Sequence, residues 1–158
     1  FSNNTWNEYC TKNTFNETEV DSLKSELLTN WPNLLAHQTD DSLWAHEWNK
    51  HGTCSKLTQF NYFARTLSLH APHDLDRWLA SGDILPSNSR KYSVADFLHV
   101  IGAHIPKASV ALNCEHHRGA LYLKELYLCV SFEDAQTLVP CTVESTCQEE
   151  FYYPALGQ

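Results

Sequence analysis

The chain has 158 residues, of which 42% are hydrophobic and 19% charged, with 12% aromatics and no methionine. That composition gives a globular chain with apolar material for one core, and it excludes a disordered or low-complexity segment. No apolar run approaches the roughly 20 residues that a membrane helix needs. The formal charge is −8 with histidine neutral, which disfavours a polyanionic partner at neutral pH; nine histidines, if all protonated, bring −8 + 9 to +1.

In chain order, residues 1–15 are polar and irregular. Asn16, with Glu19 three residues on, predicts a capped helix start, and Val20, Leu23, Leu27, Leu28 and Trp31 follow at helical spacing until Pro32 stops the run. Asp41 or Ser42 is predicted to cap a short helix from Leu43 to about His51, with Gly52 as its stop. Thr58 opens another helix with Phe60, Phe63, Ala64 and Leu67 on one face. Asp74 to Ala80 predicts one or two turns ended by Gly82, and Ser93 with Asp96 opens a helix carrying Val94, Phe97, Leu98 and Ile101.

Beyond residue 107 the pattern changes to strands. Ser109–Asn113 and Leu121–Phe132 read as strands, with Gln136–Val139 as a partner. Within the second, the apolar parity slips between Leu123 and Leu126, which predicts a bulge near Glu125. Helices first and strands later predict a single α+β domain over 1–158, an antiparallel sheet packed against several helices.

Six cysteines (Cys10, Cys54, Cys114, Cys129, Cys141 and Cys147) form no Cys-x-x-Cys pair, so three disulfides are expected rather than a metal or redox motif. The triplets Asn3-Asn4-Thr5 and Asn16-Glu17-Thr18 are acceptors for N-glycosylation. Together these predict a secreted or lysosomal protein. No charged-then-apolar leader stands at Phe1, so the numbering is expected to start after processing or after a cut.

The segment Trp44 to Cys54 gathers two histidines, a glutamate and a lysine within six residues. On a helical wheel with His46 at zero, Lys50 falls near about 40°, Glu47 near about 100° and His51 near about 140°, so all four share one arc while Trp44 and Trp48 border it. Two imidazoles that both accept and donate protons, a compact cation and a carboxylate suit metal-independent RNA cleavage. That reaction needs a base at the 2′-hydroxyl, an acid at the leaving 5′-oxygen and positive charge around the phosphorane. The competing readings are a solvated helix face and a zinc site. Zinc is disfavoured: His46 and His51 are five apart rather than four, and Lys50 stands where a second ligand would.

This segment resembles the second active-site segment of the T2-type acid ribonucleases. The resemblance extends to Trp31-Pro32, Tyr62-Phe63 with Leu67, Tyr92 to Phe97, Ile105-Pro106-Lys107, Leu128-Cys129 and Phe151 to Pro154. It implies an α+β ribonuclease fold and cleavage of single-stranded RNA through a 2′,3′-cyclic phosphate, by a monomer without metal, cofactor or membrane. By motif position, His51 would be the general acid, His46 would bind phosphate, and Glu47 and Lys50 would stabilise the pentacoordinate state. The pairs Cys10–Cys54, Cys114–Cys147 and Cys129–Cys141 are likewise implied.

The chain departs from the family pattern at one place. The first active-site segment, Ile-His-Gly-Leu-Trp-Pro or a close variant, carries the general-base histidine and does not occur in these residues. None of His37, His70, His73, His99, His104, His116 and His117 stands in a comparable context. The expectation is that the missing segment lies upstream of Phe1 and that this chain alone is impaired. A secreted binding or effector protein that has lost catalysis is the alternative.

Overall fold

The computed structural model describes residues 7–105, 110–131, 133–134 and 136–155. It divides into two compact units, Phe1–His73 and Asp74–Gln158.

The first unit is helical. Asn16 accepts a hydrogen bond from the Thr18 amide and opens a 3-10 turn over Glu17–Leu23, which passes into α1 (Lys24–Asn30). The tighter turn resets the helical phase, so Val20 and Leu27 are buried while Leu28, expected inside, is exposed. Helix α2 (Asp40–Lys50) starts earlier than the sequence suggests. Its cap is Thr39, whose hydroxyl accepts from the Ser42 amide, and Asp40 and Asp41 take the first turn, where carboxylates complement the helix dipole. A second 3-10 turn, Gly52–Cys54, follows directly.

Helix α3 (Gln59–His70) is capped by Thr58 as expected. Its buried stripe is rotated, however. Gln59, Phe63 and Leu67 are buried, while Phe60 is exposed and Ala64 half-buried. Aromatic packing sets that rotation: the Phe63 ring lies 5.9 Å from Phe15, 5.7 Å from Trp31 and 5.2 Å from Tyr62. The core of this unit is Val20, Leu27, Trp44, Trp48, Phe63 and Leu67.

The second unit is a sheet with two helices. Asp74 caps α4 (Leu75–Ser81), and Ser93 caps α5 (Val94–His104). The strands are β1 (Lys91–Ser93), β2 (Val110–His117), β3 (Ala120–Val130), β4 (Leu138–Val139) and β5 (Glu150–Tyr152). Their order is β1-β5-β3-β2, with β4 pairing β3.

The sheet is mixed, which corrects the expectation of an antiparallel one: β3 and β5 run parallel, with Tyr122 opposite Tyr152. The chain reverses from β3 into β4 and then travels through 140–149 before β5, so β5 enters in the direction of β3. The bulge falls at Lys124, between the pairs Asn113–Glu125 and Cys114–Leu123, one residue from its predicted place. Phe97, Ile101, Leu112 and Phe151 are fully buried at the centre of this unit.

Disulfides Cys10–Cys54, Cys114–Cys147 and Cys129–Cys141 are closed, one in the first unit and two in the second. Among the described residues no helix is long and apolar enough to cross a membrane, and no group of three or more histidine, cysteine or acidic residues is placed to hold a metal ion.

Candidate active site

Helix α2 is amphipathic in an unusual sense, with an aromatic side and a titratable side. Trp44 is fully buried, and its indole N–H donates to the Trp31 carbonyl at 2.9 Å, fixing α2 against the end of α1. Trp48 is buried one turn later, with its ring 5.8 Å from Tyr62. Two large side chains anchored on one face leave the other to His46, Glu47 and Lys50. His46 is exposed; Glu47 and Lys50 are half-buried.

His51 is the C-terminal cap rather than a helical residue, with φ −112° and ψ −46°. Its amide still donates to the Glu47 carbonyl at 3.0 Å, so its side chain stays over the same end of α2. The rings of His46 and His51 lie 6.3 Å apart, edge to face. Among the described residues the side chains of His46, Glu47 and His51 have no hydrogen-bond or ion-pair partner. Each is therefore available to a ligand.

Several contacts hold this end of the helix. A Cβ at Gly52 would stand 2.4 Å from the Trp48 ring, so only glycine lets the chain turn off the helix this tightly. The Thr53 hydroxyl donates to the Asn49 carbonyl, and the Asn49 side chain in turn accepts from the Phe15 amide. The amide of buried Gln59 accepts from the Asn16 N–H at 2.8 Å and donates to the Asn16 carbonyl at 2.7 Å, pinning the chain before the 3-10 turn to α3. Glu8 pairs with Lys50, Nζ to Oε1, at 3.3 Å.

Burial, and then the nearby charge of Glu47, hold the Tyr62 hydroxyl well above its ordinary pKa, so Tyr62 stays neutral and packs as an aromatic. Asn49, Gln59 and Glu8 carry no motif of their own. The signal for Glu8 is its place two residues before Cys10, whose partner Cys54 closes the His51 turn. Of the acceptor asparagines, Asn16 is exposed on the surface of the first unit, and Asn3 lies outside the described residues.

The ribonuclease T2 family model matches residues 1–141. The chain is 30% identical over 154 residues to ribonuclease Oy of Magallana gigas, covering 89% of this chain and 71% of that protein. It is 30% identical over 160 residues to the intracellular ribonuclease LX of Solanum lycopersicum, covering 96% of this chain and 66% of the relative. Among solved structures, ribonuclease MC1 from bitter gourd seeds superposes with a TM-score of 0.87 at 29% identity, covering 97% of this chain and 80% of that one. RNase NT in complex with 5′-AMP gives 0.85 at 28% identity, covering 95% and 76%. The chain spans about two thirds of the length of the tomato relative. With its own disulfides and helix α2 as described, it belongs to the ribonuclease T2 family.

Proposed function

We propose that the chain serves an endoribonuclease that cleaves single-stranded RNA at acid pH by transphosphorylation, and that His46, Glu47, Lys50 and His51 are its α2-borne catalytic groups. The observation that supports this most is their grouping on one end of α2, with His46, Glu47 and His51 left without hydrogen-bond or ion-pair partners among the described residues. The 2′-oxygen gives its proton to a general base, the histidine that the family carries on its first active-site segment, and attacks phosphorus. The bond to the 5′-oxygen breaks, and that oxygen leaves with a proton from His51. Lys50 and Glu47 border the pentacoordinate phosphorus, and His46 binds a phosphate oxygen. The products are a 2′,3′-cyclic phosphate and a free 5′-hydroxyl, with no water consumed in this step. Acid pH fits the charge: protonated histidines remove the net repulsion of a polyanion.

The family's base-carrying histidine segment does not occur in these 158 residues. Taken by themselves they are expected to cleave far below a complete site, by about 10²–10⁴-fold for a missing acid or base. The alternative reading is a secreted binding protein that has lost catalysis. We also infer secretion or lysosomal delivery, glycosylation at Asn16 and Asn3, and a monomer.

End-group analysis of RNA cut by the full-length gene product at pH 5, with a chelator present, tests the main reading. Cyclic-phosphate and 5′-hydroxyl ends are expected. Ends bearing 5′-phosphate, or abolition by the chelator, would refute it, and absence of any cleavage would favour the binding protein.

A further inference from the structure

Residues 8–10 are tied three times to the C-terminal end of α2 and the 3-10 turn that follows it. Glu8 forms the ion pair with Lys50, the Tyr9 amide donates to the Lys50 carbonyl at 2.8 Å, and Cys10 is bonded to Cys54. Tyr9 itself sits in the left-handed region, φ +51°, which a tyrosine rarely adopts. A backbone held there is fixed by its surroundings rather than chosen by its own preference. The Glu8 carboxylate is therefore delivered to Lys50 by the fold. Side-chain exposures of 28% for Lys50 and 43% for Glu8 place the pair at the rim of the site.

An ammonium on a flexible four-carbon stem loses catalytic value if it wanders. From this geometry we propose that Glu8 is a positioning residue for Lys50, holding the ammonium at the end of α2 until a substrate phosphate replaces the carboxylate. The inference rests on the catalytic role proposed for Lys50. It has a distinctive consequence, because one carboxylate both orders Lys50 and competes with the substrate for it. Removing its charge frees the cation for ground-state binding while loosening it in the transition state. The Glu8→Gln variant should therefore bind an uncleavable 2′-deoxy oligonucleotide several-fold more tightly and show a kcat several-fold lower. General damage to the fold would weaken both.

The test uses the full-length gene product at low salt. It compares wild type, Glu8→Gln, Lys50→Gln and the double variant in oligonucleotide affinity, kcat and Tm. Tighter binding with slower turnover in Glu8→Gln, both absent when the change is made in the Lys50→Gln background, is the expected result. Unchanged or weaker binding, or effects of equal size in both backgrounds, would overturn the proposal. If Lys50→Gln alone leaves turnover intact, it is the catalytic reading of Lys50 that fails. Should the wild type prove inactive, the Tm cycle decides: the loss caused by Glu8→Gln must vanish in the Lys50→Gln background, and persistence of that loss would refute the pairing.

Discussion

Two sets of polar side chains, one in each unit, stand in different surroundings. In Asp74–Gln158 the set around β2 and β3, with Arg90, is paired locally. Asn113 and Tyr127 both donate to Glu125, Lys124 pairs with Glu115, and Arg90 pairs with Asp83. In Phe1–His73, one end of α2 presents His46, Glu47 and His51 without such partners among the described residues, on a helix whose far side is locked by two tryptophans. Satisfied polar groups stabilise a surface, whereas unsatisfied ones on a rigid element are what a reaction site requires. The contrast supports the proposal that the chemistry sits on α2 of the helical unit.

The largest structural effect is expected at the lock. Trp44→Ala removes a fully buried indole and its bond to Trp31, which should cost about 3–5 kcal/mol. Denaturant titration reads the loss, and hydrogen exchange should show it concentrated in α1, α2 and α3. Loss spread evenly over β2 and β3 as well would break the distinction between the units. Next comes Gly52→Ala, whose new methyl meets the Trp48 ring. A cost of about 1–3 kcal/mol is expected from the forced shift, and turnover should fall further than stability alone explains, because the His51 turn moves. An active variant with wild-type Tm would show that the turn tolerates the added methyl.

The smallest effect belongs to the sheet. Hydrogen bonds from Tyr127, then Asn113, hold the Glu125 carboxyl below its ordinary pKa. A lowered folded value means that the contribution is present above the unfolded carboxylate range and is lost as pH falls through the folded value. At this largely exposed position it amounts to under about 1 kcal/mol. Glu125→Gln should flatten the acid limb of the stability curve slightly and leave RNA cleavage unchanged. A marked fall in cleavage would contradict the claim that these groups serve structure alone.

Much of this was legible from residues. Thr58, Asp74 and Ser93 announce their helices because a short polar side chain precedes an apolar period, and the slip of parity in β3 announces the bulge. The start of α2 was not legible, since Thr39, Asp40, Asp41 and Ser42 all suit a cap and only the fold selects among them. Strands β1 and β5 are three residues each, too short for an alternation to register. The titratable face of α2 could be read from its spacing. Its supports could not: Gln59, Asn49 and Glu8 act through contacts 34 to 43 residues away in sequence, and of the three only Glu8 has a nearby signal, Cys10 two residues on.

The most direct test of the central claim is the turnover of His51→Ala in the full-length gene product, on single-stranded RNA at pH 5 beside the wild type. A loss of about 10²–10⁴-fold in kcat, with the variant melting where the wild type does, is the predicted result. Undiminished cleavage by a folded His51→Ala protein would contradict the account.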